Sequence, residues 1–181
     1  MLKQKINEHV KVYMTGVLTG SQTEKYVENL DDGIGMMVSY ENDDHKRTLL
    51  FKGLVTQIRI KMVANVSYLV VEAVSYTSQM DEKPCRRSFQ NKKMKYKALL
   101  EQVMKDYPQA NCAHSFKEEM LQGFTLQFDE TDWAFLKRMV SRFGSGLIPD
   151  PLSNKPQFYF GLPDGNQKAE LKQFNYSICL T

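Results

Sequence analysis

The feature that most restricts the fold of this chain is a hydrophobic period of two that runs from residue 9 to about residue 79. Val10, Val12 and Met14 alternate with polar or mixed neighbours. Ile34 to Tyr40, Thr48 to Ile60 and Val66 to Tyr76 continue the pattern in sequence rich in β-branched and aromatic residues. Successive side chains of a β-strand point to opposite faces, so this spacing predicts a series of strands. Clusters of Gly, Asn, Asp and Ser break it at TGSQTEKYVENLDDG, ENDDHK and MVANVS, as in an antiparallel meander or a small barrel. A strand as long as Leu50 to Ile60 exposes a row of backbone groups if it is left unpaired, so closure or assembly is favoured.

A second regime begins at residue 80. MDEKPCRRSFQNKKMKYK is polar and basic, with seven Lys or Arg between Lys83 and Lys97, and it leads into KALLEQVMKDYP. On a helical wheel Leu99, Leu100, Val103, Met104 and Tyr107 share one arc, and Pro108 ends the helix. A loop from Asn111 to Gly123 follows, then FTLQF alternates like a strand.

The stretch 128–144, FDETDWAFLKRMVSRFG, contains the one tryptophan of the chain and has helix chemistry throughout. Asp129 is the expected N-cap, with Glu130 and Asp132 at the end where the helix dipole favours negative charge. Lys137, Arg138 and Arg142 lie toward the opposite end, and Gly144 is placed to close the helix in the left-handed conformation. Trp133, Phe135, Leu136, Met139, Val140 and Phe143 form one face built to be buried. The tail returns to strand-like runs, QFYFGL and FNYSICL, separated by the turn signal PDGN.

These elements predict an α+β fold that is mainly β. Residues 1–80 form an antiparallel β-barrel and residues 81–150 a smaller α/β region with two amphipathic helices. Residues 151–181 read as the first strands of something that continues. A chain of 181 residues can bury roughly 70% of the surface its unfolded form exposes. With 42% apolar residues it needs no staple. Cys85, Cys112 and Cys179 are odd in number and unrelated in spacing, which points to a reducing compartment. No apolar N-terminal region or spanning segment is present, so the chain is expected to be soluble, with no signal or membrane anchor of its own.

The residues for chemistry are sparse. His9, His45 and His114 are scattered, and Cys112 with His114 lacks a second ligand pair, so no metal is expected. Carboxylate pairs at Asp31 and Asp32, Asp43 and Asp44, Glu118 and Glu119, and around Glu130 sit in turns or helix starts, where acids are common. GIG at 33–35 and GSG at 144–146 lack the flanks of a phosphate or dinucleotide loop. No catalytic residue and no cofactor are therefore assigned. Net charge is +3, which points to nucleic acid only where it is concentrated. Arg86, Arg87, Lys92, Lys93 and Lys95, interleaved with Phe89 and Tyr96, are such a concentration. Solvated Lys faces are the commoner origin of such clusters, so the run is taken as a basic contact surface.

Several pieces occur in an order that resembles one family. LLFKGLVTQIRI supplies Leu50, Phe51, Gly53 and Val55, and YLVVEAVSYTSQMD supplies Glu72 and Ala73. RRSFQNKKMKYKALLEQVMKDYP supplies Arg87 and Phe89. LQFDETDWAFLKRMVSRFGSGLIPD supplies Gln127, Glu130, Thr131, Asp132, Trp133, Phe135, Leu136, Arg138 and Gly144. Over roughly residues 48–150 this is similar to the VgrG-type hub proteins of contractile injection systems, which include phage late-control gene D proteins and baseplate hubs. The resemblance implies a structural protein, a homotrimer whose barrels, two per protomer, form a ring between tail tube and spike, with residues 151–181 starting the second barrel or supplying C-terminal strands that pack on the first. It implies partners among tail tube, spike and baseplate proteins and no small-molecule substrate. It also implies synthesis in the bacterial cytoplasm followed by assembly into a virion tail or injection apparatus. Such hubs are usually longer than this chain. Two other classes are open to the same residues: a small β-barrel binding module for nucleic acid or cell-wall glycan, and a tail-associated cell-wall hydrolase.

Overall fold

The computed structural model describes residues 1–18, 33–43, 45–114 and 119–162. The period-two region forms a five-stranded antiparallel sheet of β1 (Leu2–Lys3), β2 (Lys11–Leu18), β3 (Gly35–Glu41), β4 (Arg47–Val63) and β5 (Val66–Ser75). The strand order is β1-β2-β5-β4-β3. β4 and β5 join through Ala64 and Asn65, both at positive φ, the conformation that the tightest hairpin turns require. Val12 and Val55 both lie opposite Ala73, and Phe51 lies opposite Val38, which sets one face of the sheet. Val10, Val12, Phe51 and Ala73 form its core, with Met36 and Val38 packed against them.

The ladder is irregular between Val55 and Gln57 and between Val38 and Ser39. An extra residue in one strand bends it and raises the local twist, so the sheet curls into a half-barrel. Closure of the expected barrel is not seen among the described residues. Among the described residues β1 and β3 are edges that do not meet, because β1 is only two residues long and two irregularities curl five strands without bringing the edges together. The segment TGSQTEKYVENLDDG falls almost wholly outside the described residues.

The larger core lies in the second half. A 3-10 turn (Tyr76–Asp81) leads to β6 (Pro84–Phe89), which pairs antiparallel with β8 (Thr125–Thr131). A three-stranded sheet has the order β7 (Asn111–His114), β10 (Gln157–Phe160), β9 (Leu147–Pro149), with β10 parallel to β7 and antiparallel to β9. Helices α1 (Tyr96–Met104) and α2 (Asp132–Ser141) bury Leu99, Leu100, Val103, Phe135, Leu136, Met139 and Val140 against Phe89, Phe158 and Phe160. α1 stops at Met104, ahead of Pro108, in tightened turns where Asp106 N–H donates to Val103 O and Tyr107 N–H to Met104 O.

Three local readings change. The basic segment before α1 is half strand, because β6 carries Cys85 to Phe89. The loop after Pro108 contains β7. Asp129 does not cap α2: it has φ 48°, and Thr131 is the N-cap, its hydroxyl oxygen accepting from Ala134 N–H at 3.2 Å. The helix thus begins two residues later than its acids suggest. Gly144 has φ 60°, the left-handed closing conformation. Of the tail strands, QFYFGL contains β10, and FNYSICL lies outside the described residues.

Candidate functional site

Of the residues that carry the family resemblance, Phe89, Trp133, Phe135 and Leu136 lie in the core of the second half, and Phe51 and Ala73 lie in the core of the sheet. Trp133 is 1% exposed; its indole N–H donates to Asn7 O at 3.1 Å, and its ring meets Phe158 edge-on at 5.4 Å. Phe135 stacks on Phe89 at 5.7 Å, and Leu136 is fully buried. Arg138 lies over the Phe135 ring at 5.3 Å, pairs with Glu130, and donates to Leu126 O at 2.6 Å. It therefore caps a backbone carbonyl of β8.

Asp132 is the exception among the acids of this stretch. It is 0% exposed, and a buried carboxylate persists only if its lone pairs are met. Arg87 donates to both of its oxygens, Gln127 Nε2 donates to Oδ1 at 2.7 Å, and the Tyr107 hydroxyl donates to Oδ2 at 2.8 Å. Arg87 also donates to Gln127 Oε1 at 2.6 Å and pairs with Asp106. Burial raises the Asp132 pKa, and the bonds from Arg87, Gln127 and Tyr107 outweigh it, so the group ends below the ordinary 3.8. Burial and the same carboxylate push the Tyr107 hydroxyl and the Cys85 thiol up. Both shifts favour the protonated group at neutral pH. Burial likewise pushes Cys112 up to about 12.

Phe51 and Gly53 sit two residues apart on the same face of β4. A Cβ at Gly53 would lie 2.2 Å from Val74 O and 2.3 Å from Phe51 Cζ. The Phe51 ring folds over the space that glycine leaves, which explains why these two residue types belong together.

The basic cluster does not act as one surface. Arg86 is held by Asp129 through bonds of 2.7 and 3.1 Å and lies over the Phe128 ring at 5.1 Å. Arg87 points inward to Asp132. Lys92, Lys93 and Lys95 are exposed in the link to α1. Acids thus engage Arg86 and Arg87, which weakens the phosphate-binding reading. Of the carboxylate pairs, Glu130 is engaged with Arg138, and Asp31, Asp32, Asp44 and Glu118 lie outside the described residues. Among the described residues no group of three His, Cys, Asp or Glu could hold a metal ion, and no helix is long and apolar enough to cross a membrane.

Among the described residues, exposed apolar side chains line part of the sheet and part of β8. On the face that carries the sheet core, Met14, Ile60 and Met62 continue the apolar stripe toward the β4–β5 turn and are 45%, 36% and 69% exposed. On β8 the pattern is inverted: Phe124, Leu126 and Phe128 face solvent while Thr125 and Gln127 are buried. Alternation in FTLQF locates the strand and does not say which set is inward. Gln127 goes in because Asp132 and Arg87 need its amide.

No family model matches this chain, and no curated protein matches it in sequence. Solved structures do. The E. coli c3393 protein, described as a component of the type VI secretion system with structural similarity to the T4 bacteriophage tail proteins gp27 and gp5, is similar at TM-score 0.56 and 11% identity. That match covers 87% of this chain and 44% of that one. The 43 kDa tail protein of prophage MuSo2 from Shewanella oneidensis gives TM-score 0.58 and 13% identity, over 83% of this chain and 44% of that one. The chain therefore spans less than half the length of either structure. The fold is shared with these two tail and secretion-system proteins.

Proposed function

We propose that this chain is the hub portion of a tail baseplate in a phage, tailocin or related injection apparatus, joining tail tube to spike as a homotrimeric ring. It works by protein contact, with no catalytic centre, substrate or cofactor. The observation that carries this reading is the curled sheet. Its core is four side chains, β1 and β3 are edges among the described residues, and the apolar stripe of Met14, Ile60 and Met62 continues past that core. A half-barrel of this kind has a ready use in a ring, where neighbouring copies cover edges and apolar face together. In this reading residues 1–80 form the first hub barrel and 81–150 the middle region, and residues 151–181 start a second barrel or supply C-terminal strands. Lys92, Lys93 and Lys95 then face the lumen or a neighbour, after synthesis in the bacterial cytoplasm and assembly into the tail.

Light scattering on the full-length gene product over a range of concentrations tests this. A trimer is expected, weakened by Ile60→Asp with Met62→Asp. Monomer alone at high concentration overturns the ring.

A further inference from the structure

His9 stands where the approach to β2, the 3-10 turn and α2 meet. Its Nδ1 is 2.9 Å from Thr77 Oγ1 and its Nε2 is 2.9 Å from Asp81 Oδ2. Its ring packs on Trp133 with centroids 4.6 Å apart. The same segment is pinned by Asn7, whose N–H donates to Leu147 O at 2.8 Å, whose side-chain oxygen accepts from Leu147 N–H at 2.8 Å, and whose carbonyl accepts the Trp133 indole N–H. The junction ties the five-stranded sheet to the helical half.

The direction of each hydrogen bond follows from the ends of the chain of groups. Val10 N–H can only donate, and it donates to Ser75 Oγ at 3.1 Å. Ser75 is 0% exposed, and the other partner of its hydroxyl is Thr77 Oγ1 at 2.9 Å. The Ser75 hydroxyl therefore donates to Thr77, and the Thr77 hydroxyl donates to His9 Nδ1. At the other end the Asp81 carboxylate accepts the His9 Nε2–H and the Thr131 hydroxyl, and the Thr131 oxygen in turn accepts Ala134 N–H. This polarity requires a neutral imidazole with its proton on Nε2. A second proton, on Nδ1, reverses the relay. Thr77 must then accept, its hydroxyl proton turns to Ser75, and the Ser75 proton is left without an acceptor in a site closed to water.

We propose that His9 is a proton-operated clasp, locking the five-stranded sheet onto α2 and the 3-10 turn when neutral and releasing that junction when protonated. The charges around it act in opposite senses. Burial lowers its pKa from 6.5, Asp81 on the 3-10 turn raises it, and Lys137 on α2 and Lys11 on β2 lower it, with a net fall. The unfolded chain thus takes up this proton first. The clasp's contribution is complete above the unfolded value of 6.5 and is lost as pH falls through the folded one.

Trp133 is the single tryptophan, so its indole N–H gives one resolved proton resonance that reports the junction directly. In the full chain, protection of this N–H from solvent exchange, corrected for the intrinsic rate, is expected to fall between about pH 7.5 and about pH 5. His9→Gln keeps the relay's polarity, its amide oxygen accepting from Thr77 and its NH2 donating to Asp81, and is expected to remove that fall. The His9 imidazole, assigned with His45→Asn and His114→Asn, is expected to titrate below 6.5. An equal loss of protection in His9→Gln, or titration of His9 at or above 6.5, overturns the proposal. If His9→Gln does not fold, the wild-type titration decides alone.

Discussion

Asp132→Asn tests whether the second half is organised around one buried charge. The substitution preserves shape, removes the charge, and replaces one acceptor with a donor. Every neighbour of Asp132 donates: Arg87 to both oxygens, Gln127 at 2.7 Å and Tyr107 at 2.8 Å. Whichever way the new amide turns, its NH2 faces a donor. Gln127 cannot rotate to compensate, since it is 0% exposed and its oxygen already accepts from Arg87 at 2.6 Å. Breaking a buried ion pair costs about 3–5 kcal/mol. Here Arg87 is 19% exposed and keeps Asp106, so the expected loss is about 2–4 kcal/mol. Urea unfolding followed by tryptophan emission measures it as a lower midpoint at unchanged slope. The acid limb gives an independent check. The folded pKa of Asp132 is depressed, so its contribution is present above the ordinary 3.8 and is lost as pH falls through the folded value. Wild type and variant should therefore differ most near neutrality and converge in acid. A variant within about 0.5 kcal/mol of wild type at neutral pH would refute the reasoning, because surface substitutions alone produce changes of that size.

Trp133→Ala empties a position 1% exposed and breaks the bond to Asn7, for an expected loss of about 3–5 kcal/mol; a variant that unfolds at the parent's urea midpoint would show the face is not buried. Gly53→Ala sets a Cβ 2.2 Å from Val74 O and 2.3 Å from Phe51 Cζ. The carbonyl belongs to the ladder and cannot retreat, so about 3 kcal/mol is expected, at the upper end of overpacking costs. Calorimetry that finds an unchanged melting temperature would sink this explanation of the Phe51–Gly53 pair.

Much of the sheet was legible because its strands obey the period of two. β4 also held a further signal. Phe51, Gly53 and Val55 share one parity, and Ile58, Ile60 and Met62 share the other, yet registry places all six on one face. The irregularity between Val55 and Gln57 performs that switch, and a phase slip of this kind in a single long strand is readable in the order of its residues. Closure was not legible. Alternation says which side of a strand is apolar, and the relation of β1 to β3 depends on how far two irregularities curl the sheet.

Among the strands that escaped notice, β6 and β7 are short and carry charge or loop-like composition, and their partners come from far along the chain. β6 finds β8 and β7 finds β10. Local pattern has no access to such pairings, which tertiary contact decides. The same limit hid the centre of the second half. Asp132 in the sequence is one more acid at a helix start, and Arg87 one more cation in a basic run. Only pairing β6 to β8 brings Arg87 beside Gln127, and only the cap at Thr131 turns Asp132 inward. Once that carboxylate is inside, Gln127 must follow it, and the period of two then forces Phe124, Leu126 and Phe128 outward. The exposed apolar row of Phe124, Leu126 and Phe128 is thus a consequence of the buried charge, set by Arg87, Gln127 and Asp132, which are among the residues that carry the family resemblance.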